Sequence, residues 1–303
     1  MSCLMTNLKE RLFDMRALKS QQEIMAGWKG DPAKPIVSIC CITYNHEDYI
    51  EDALEGFLIQ ETDSPFEILI HDDASTDRTA EIIREYQSAY PKLIKPIYQE
   101  NNQYSLGKAM NPNFNYPRAK GEYIALCEGD DYWADANKLQ KQVDYLQQHK
   151  NYAMCSHSVR FEFDGIVEKR KNYKSKAIVD ADFEYILSHG LFIALNSIVF
   201  RRSLFDKPKW LDGLPGGHKA LIYILTAKGK NHHFMDQMAV KRRNPGGLTI
   251  KNKTERQKSY YQRNIFLLEN LKVYLNHGKD KPINKKLRKL YLRQMLSQLT
   301  GFN

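Results

Sequence analysis

The chain has 303 residues, of which 42% are hydrophobic and 27% charged, with 16 Gly and 11 Pro. These proportions exclude a collagen, a disordered tail and a disulfide-rich miniprotein, and the length suits one large domain with or without an appendage. No stretch approaches the ~18–20 uncharged apolar residues of a spanning helix. Charged residues near the N-terminus exclude a signal-peptide core, so we expect a soluble protein that faces the cytoplasm.

The net charge of +9 is unevenly distributed. Residues 1–150 hold 16 basic and 24 acidic residues, a net charge of −8, whereas residues 151–303 hold 29 and 12, a net charge of +17. An acidic first half favours a site for a metal or for positive groups. A basic second half favours an anionic partner such as phosphate, an acidic glycan, nucleic acid or an anionic membrane, although solvent-facing basic helices would give the same pattern.

The cysteines are five in number, and no two of them form a CxxC pair. Three of them, Cys40, Cys41 and Cys127, lie in apolar runs that are typical of strands. The pattern favours buried free thiols in a reducing compartment over a metal or redox site.

Apolar periodicity predicts alternating strands and helices after an N-terminal helical arm. The predicted strands are residues 36–43, 66–71, 94–98 and 123–127, and the predicted helices are residues 48–59, 80–90 and 137–149. This alternation is typical of an open, mostly parallel α/β sheet flanked by helices. Ligands bind at the carboxyl ends of such strands, and here those ends are polar.

The second half of the chain gives weaker patterns. They predict an irregular loop at residues 164–182, a strand at 191–200, a helix at 219–227 and helical structure from about residue 255 onward. The expected organisation is a helical arm at residues 1–34, an α/β domain at 35–250 and a basic C-terminal helical extension at 251–303.

Two pairs of adjacent carboxylates follow predicted strands. Asp72 and Asp73 come after the second strand, and Asp130 and Asp131 come after the fourth. Adjacent like charges repel, and a hard divalent cation such as Mg²⁺ or Mn²⁺ removes that penalty. Helix capping is the alternative, but capping explains one aspartate per turn rather than two pairs. The pattern favours a site for a metal and substrate phosphates.

Short motifs occur in order along the first half of the chain. They are residues 37–45 (VSICCITYN), 72–77 (DDASTD), 120–125 (KGEYIA) and 128–133 (EGDDYW), with KLQKQ at 138–142. This series resembles the family 2 glycosyltransferases of the GT-A fold, and EGDDYW with KLQKQ is similar to a bacterial subgroup. The resemblance covers about residues 35–247. It implies a Rossmann-like, mostly parallel sheet and transfer of a sugar from a nucleotide diphosphate to a hydroxyl, usually with inversion.

The resemblance also implies how the donor is bound. The turn of Thr43, Tyr44 and Asn45 would contact the nucleotide, with Tyr44 lying against the nucleobase. Asp73 would hydrogen-bond the nucleoside, most often uridine, and Asp130 would face the ribose.

The diphosphate and the metal have their own expected residues. Asp131 matches the metal-binding carboxylate of the family's aspartate motif, so the resemblance implies Mn²⁺ or Mg²⁺, which would neutralise the leaving diphosphate. Arg242 matches an arginine in a late family segment that reaches the diphosphate, a task that suits a bidentate guanidinium.

The sequence departs from the family pattern on the acceptor side. Relatives often carry a catalytic aspartate where alignment on residues 221–229 places His218. An imidazole can accept a hydroxyl proton near neutral pH, so His218 is the candidate base, with Asp212 as the alternative and a weak or inactive enzyme as a third option. In the late segment, Lys241 and Asn244 stand where Tyr and His are usual.

The expected function is an inverting transferase that uses a UDP-sugar and a glycan or lipid-linked acceptor in bacterial surface polysaccharide synthesis. One alternative is a nucleotidyltransferase, but residues 43–46 do not form the glycine-rich phosphate loop that it needs. Another is a basic non-catalytic or nucleic-acid-associated protein of the same fold. That alternative leaves the acidic strand ends unexplained, so nucleic acid is not an expected partner.

The C-terminal segment combines charge with leucines. From Lys241 to the end there are 16 basic and 3 acidic residues, a net charge of +13. Three interpretations compete: packing of the helices on the core, self-association, and peripheral attachment to an anionic membrane. We expect helices that pack on the core and make weak, salt-sensitive contact with an anionic membrane, at its cytoplasmic inner face, although a soluble acceptor would equally suit a basic surface.

Overall fold

A computed structural model of the protein describes residues 18–163, 166–168, 179–190, 192–214, 217–243 and 259–299. Its strands are β1 Val37–Thr43, β2 Phe66–Asp72, β3 Ile94–Tyr98, β4 Tyr123–Glu128, β5 Tyr132–Trp133, β6 Tyr152–Phe163, β7 Ile166–Glu168, β8 Asp180–Ala181, β9 Val199–Arg201 and β10 Lys230–Arg243. Its α-helices are α1 Gln21–Ala26, α2 Ile50–Leu58, α3 Thr79–Ala89, α4 Lys138–Gln148, α5 Phe183–His189, α6 His218–Lys228, α7 Tyr260–Tyr274 and α8 Asp280–Leu299.

All the described strands belong to one sheet. The strand order is β3-β2-β1-β4-β9-β6-β10-β5, with β7 beside β6 and β8 beside β10. The first four strands pair in parallel, as the alternating strand and helix patterns predicted. Every residue of β2 is buried, because helices cover both faces of a parallel sheet and its strands are therefore apolar throughout.

The second half of the sheet is mixed. β9 pairs antiparallel with β4 and β6, whereas β10 runs parallel to β6 and antiparallel to β5. The prediction of a strand at residues 191–200 was wrong for most of its length, because a 3₁₀ turn at Leu195–Ser197 precedes the short β9. In that turn Ser197 Oγ donates to Ala194 O at 2.6 Å, and Asn196 Nδ2 donates to Val240 O at 2.9 Å. Both of these buried side chains donate to the backbone in the turned conformation.

Apolar side chains fill one core cluster on each face of the sheet. Leu54 of α2 and Leu139 of α4 belong to the first cluster, and Leu225 of α6, Leu271 of α7 and Leu287 of α8 belong to the second. The C-terminal helices therefore pack on the same core as α5 and α6, as their leucines predicted. The division of the chain at residues 34 and 250 stays a prediction.

The N-terminal arm is described from residue 18 onward. Ser20 and Glu23 form a reciprocal capping box at the start of α1, and Ile24 joins the first core cluster. The helix expected before residue 18, most of the loop expected at residues 164–182, and residues 244–258 lie outside the described residues. Within the described part of the chain, no helix has the length and apolar character needed to cross a membrane.

Candidate active site

The carboxyl ends of β1, β2 and β4 lie side by side. Thr43 is opposite Asp72 in the sheet, and Ile42 is opposite Glu128. The turns that follow are tied together, because the backbone N–H of Asp73 donates to Thr43 O at 3.0 Å. The polar strand ends noted in the sequence thus form one edge, where ligands bind in sheets of this kind.

A glycine lets the turn after β4 lie against β1. A Cβ on Gly129 would come within 2.7 Å of Thr43 Oγ1 and 3.0 Å of Ile50 Cδ1. The turn is closed by the backbone N–H of Asp131, which donates to Glu128 O at 3.0 Å. This tight turn places the side chains on either side of the glycine close together.

Three carboxylates form an acidic cluster. One oxygen from each of Glu128, Asp130 and Asp131 lies within 4.8 Å of the others. Asp131 is fully buried, and burial raises its pKa to about 7 against the opposing charge of Lys241. Burial, together with the charge of Glu128, raises the pKa of Asp130 to about 6. Hard carboxylate oxygens at this spacing fit Mg²⁺ or Mn²⁺, so the residues present suit the expected metal.

Sequence reasoning singled out only Asp131 as a metal ligand and missed Glu128. The available signal was position, because Glu128 is the last residue of β4 and shares the turn with the two aspartates. Burial opposes ionisation of Glu128, but Lys241 and then His218 lower its pKa. His218 therefore lies close enough to act electrostatically on the cluster.

The last strand closes the other side of the cluster. β10 pairs antiparallel with β5, with Val240 opposite Tyr132. Lys241, one residue after Val240, therefore lies beside Asp131, one residue before Tyr132. Lys241 Nζ lies 2.9 Å from Asp131 Oδ2 and 3.3 Å from Glu128 Oε2. Asp131 Oδ1 accepts the backbone N–H of Arg242 at 2.8 Å. The sequence had marked Lys241 only as a departure from the family.

The side chain of Arg242 is held by carboxylates outside the acidic cluster. Its guanidinium pairs with Asp52 and lies 3.3 Å from Glu162, and it sits 4.4 Å from the centre of the Tyr132 ring. Neither of these carboxylates belongs to the cluster. The diphosphate role expected for Arg242 stays a prediction.

The turn after β1 presents Tyr44. Tyr44 is 44% exposed, whereas Thr43 is buried with Oγ1 3.1 Å from His46 Nδ1. Asn45 adopts a left-handed backbone with φ 54°, which asparagine tolerates better than most residues. Asn45 Oδ1 accepts the backbone N–H of Thr76 at 2.8 Å, which ties this turn to the one after β2.

Asp73 holds a loop beside the site. Its carboxylate accepts the backbone N–H groups of Gln103 at 2.7 Å and Tyr104 at 3.0 Å, and the residue is buried. Its neighbour Asp72 accepts from the hydroxyl of Ser75 at 2.5 Å. The two aspartates after β2 thus have internal partners, and the nucleoside contact expected for Asp73 stays a prediction.

Asp212 holds the far end of the same loop. It accepts from Ala109 N at 2.9 Å and Asn113 Nδ2 at 2.6 Å, and it pairs with Lys207 Nζ at 2.5 Å. Burial opposes ionisation, but these donors outweigh it and lower the pKa of Asp212 to about 2. His218 is instead an exposed residue at the start of α6. Of the two candidate bases, His218 is the one whose charge reaches the acidic cluster.

Comparison with known proteins identifies the family. The model of glycosyl transferase family 2 matches residues 38–208. An uncharacterized protein of Mycobacterium tuberculosis (strain H37Rv) is 36% identical over 248 residues, which cover 80% of this chain and 69% of that protein. The chain belongs to the family 2 glycosyltransferases. It is a glycosyltransferase with the α/β GT-A fold, as the motifs predicted.

A further relative matches a shorter region of the chain. TuaG of Bacillus subtilis, a glycosyltransferase named for teichuronic acid biosynthesis, is 36% identical over 124 residues, 41% of this chain and 45% of that protein.

Two solved structures share the fold. Staphylococcus aureus TarS in complex with UDP covers 88% of this chain and 74% of that chain with a TM-score of 0.60 and 19% identity. The mannosyltransferase PcManGT of Pyrobaculum calidifontis, in complex with GDP-Man and Mn²⁺, covers 95% and 80% with a TM-score of 0.56 and 19% identity.

Proposed function

We propose that this glycosyltransferase moves a sugar from a UDP-sugar to a hydroxyl of a glycan or lipid-linked acceptor, with inversion, in bacterial surface polysaccharide synthesis. The observation that carries the proposal is the acidic cluster of Glu128, Asp130 and Asp131 at the end of β4 in a family 2 chain. The TarS structures with UDP and UDP-GlcNAc support the donor, and the name of TuaG supports the polysaccharide.

The turn after β1 and the loop held by Asp73 would bind the nucleoside. The exposed ring of Tyr44 offers a face on which the base can stack, and Thr43 and Asn45 fix the shape of the turn that carries it. Each carboxylate oxygen has two lone pairs, so Asp73 can hydrogen-bond the nucleoside while it holds the loop. Asp130 would accept from the ribose hydroxyls.

Asp131, with Glu128 and Asp130 beside it, would hold Mn²⁺ or Mg²⁺. A bound metal ion of this kind supplies Lewis-acid neutralisation of a leaving diphosphate. The protein fixes the position of Asp131 through the backbone N–H of Arg242, so the carboxylate is oriented before any ligand arrives. The guanidinium of Arg242 would add positive charge on the side of the diphosphate.

His218 would be the general base. Its ring would take the proton from the acceptor hydroxyl as that oxygen attacks the anomeric carbon, on the face opposite the departing diphosphate. Its exposure at the start of α6 leaves room for an acceptor, and the effect of its charge on the pKa of Glu128 supports this role. Asp212 is the alternative base, although three donors already occupy its carboxylate.

Donor use can be tested with a panel of UDP-, GDP- and dTDP-sugars. We expect hydrolysis of a UDP-sugar in the presence of Mn²⁺, and little without it. UDP plus Mn²⁺ should raise the melting temperature. A ligand at a hundredfold excess over its Kd adds about 2.7 kcal/mol to the free energy of unfolding. Release of pyrophosphate instead of UDP would indicate a nucleotidyltransferase, and the absence of both hydrolysis and stabilisation would contradict the proposal.

The surface of α8 supports a peripheral membrane contact. Its buried residues Leu287 and Leu290 are explained by packing on the core, but Leu292, Met295 and Leu296 are about half exposed. Six basic residues lie on the same helix: Lys281, Lys285, Lys286, Arg288, Lys289 and Arg293. An apolar surface within a basic helix suits an anionic bilayer, at about 1 kcal/mol per basic residue near the surface. The proposal places the enzyme in the cytoplasm, at the inner face of the membrane.

Vesicle co-sedimentation tests this contact. We expect the protein to bind anionic vesicles at low salt, to be released at high salt, and to ignore neutral vesicles. The double variant Leu292→Ser/Met295→Ser should lose binding, whereas Met235→Ser, which changes a side chain on β10 as exposed as Leu292 (53% each), should keep it. Unchanged binding of the double variant, or no binding by the intact protein, would rule out a contact through α8.

A further inference from the structure

The ammonium group of a lysine from the same chain lies within the acidic cluster. The ammonium of Lys241 contacts Asp131 at 2.9 Å and Glu128 at 3.3 Å, two of the three carboxylates that could ligate a metal ion. With Arg242 N on the other oxygen, both oxygens of Asp131 have partners within the chain. A cation is therefore already present at the position that suits a divalent ion.

The geometry of β10 allows only one of the adjacent residues Lys241 and Arg242 to contact the cluster with its side chain. Successive side chains of a strand point to opposite faces, so Lys241 and Arg242 cannot both face the cluster. Arg242 turns to Asp52 and Glu162, whereas Lys241 turns to the cluster. The pairing of β10 with β5 fixes which residue takes which direction.

A metal ion and this ammonium cannot share the same oxygens. A divalent ion binds carboxylate oxygens at roughly 2.0–2.2 Å, and a positive charge one hydrogen bond away from the same oxygen repels it. Lysine suits a displaceable partner, because it is a compact charge on a flexible stem, and this side chain is 26% exposed. The ammonium can therefore move into solvent without unfolding the site.

We propose that Lys241 is a tethered cation that occupies the acidic cluster before ligands arrive and that a divalent ion must displace from Asp131 and Glu128. The inference rests on the metal-dependent function proposed above. Lys241 then has two effects. It relieves the repulsion among the carboxylates when no metal is bound, and it weakens the affinity for the metal.

The test measures Mn²⁺ binding directly, from the electron paramagnetic resonance signal of free Mn²⁺ at one fixed pH and without donor. We expect Lys241→Met to lower the Kd for Mn²⁺ by about tenfold or more, because the competing charge is gone. Lys241→Met should also melt at a lower temperature than the wild type without metal, and Mn²⁺ should restore its stability.

Two variants serve as controls. Lys95 pairs with buried Glu67 at 2.8 Å in β2, so Lys95→Met also removes an ion pair to a buried carboxylate. Lys95→Met should lose stability that Mn²⁺ does not restore, and its Kd for Mn²⁺ should match the wild type. Arg243 lies two residues beyond Lys241, with its guanidinium over the Phe161 ring. Arg243→Met should change the Kd by less than about threefold, which separates displacement from a general loss of positive charge.

An equal or weaker affinity for Mn²⁺ in Lys241→Met would overturn the inference, as would a gain in Arg243→Met as large as that in Lys241→Met. Its failure is distinguishable from failure of the proposed function, which is read from hydrolysis of nucleotide sugars. Metal-dependent hydrolysis with an unchanged Kd in Lys241→Met would leave the function standing and remove this role of Lys241. If Lys241→Met shows the expected change in Kd but the enzyme transfers no sugar, the role of Lys241 stands and the proposed function fails.

Discussion

Asp131→Asn is expected to abolish sugar transfer and leave the fold intact. The substitution removes the buried charge that would bind the metal, and loss of several kcal/mol of Lewis-acid assistance corresponds to roughly 10²–10⁴-fold in rate. The fold should survive because the pKa of Asp131 is raised to about 7 by burial, so the ionised form is a cost to the metal-free protein. The amide oxygen of Asn can still accept the backbone N–H of Arg242.

The measurement is a transfer or donor-hydrolysis assay beside a thermal melt in chelator. Asp135→Asn is the matched control, because Asp135 caps the turn before α4 and pairs with Lys141 at 3.1 Å outside the cluster. The control should keep most of its activity. Chelator should inactivate the wild type, and Mn²⁺ or Mg²⁺ should restore it. Full activity of Asp131→Asn would remove the metal-binding role from this residue.

The parallel half of the fold could be read from sequence because its signals are local. Residues 94–98 were predicted as a strand with the same bounds as β3, and the strand predicted at 66–71 differs from β2 by one residue. A strand buried on both faces appears in the sequence as a short continuous apolar run, and the apolar residues of an amphipathic helix repeat about every 3.6 residues. Both patterns can be recognised without knowing which distant residues the element contacts.

The mixed half depends on distant partners. β10 runs from Lys230 to Arg243 through many polar residues, and its register with β6 shifts at irregularities along its length. The segment at residues 191–200 is apolar enough for a strand, yet Asn196 finds its partner on Val240, in a strand far along the chain. Local composition does not encode such contacts.

The candidate site also combines residues that local sequence predicts with residues that depend on distant partners. The aspartates of the turn after β4 could be chosen from sequence because adjacent carboxylates repel each other unless a partner neutralises them. Glu128 was signalled by its position in the same turn and was missed. Lys241 could not be placed beside Asp131, because that contact requires the register of β5 with β10. The ion pair of Arg242 with Asp52 could not be predicted either, because it depends on the alternation of side chains along β10.

His218→Ala is expected to lower kcat by roughly 10²–10⁴-fold while donor affinity stays nearly unchanged. The proposed base touches the acceptor hydroxyl rather than the nucleotide, so its loss affects the chemical step and not donor binding. The residue is exposed at the first position of α6, so the fold should be retained when its side chain is truncated.

The decisive variant is His218→Asp, which places a carboxylate where the family resemblance implies a catalytic aspartate. A carboxylate can accept the same proton, so it should recover part of the rate that His218→Ala loses. A residue that only shapes the start of α6 would not show this rescue, nor the split between kcat and donor affinity. Asp212→Asn is the matched comparison, because it replaces the alternative base and should act through the loop that it holds at Ala109. If His218→Ala retains the wild-type kcat while Asp212→Asn loses it, the base is Asp212.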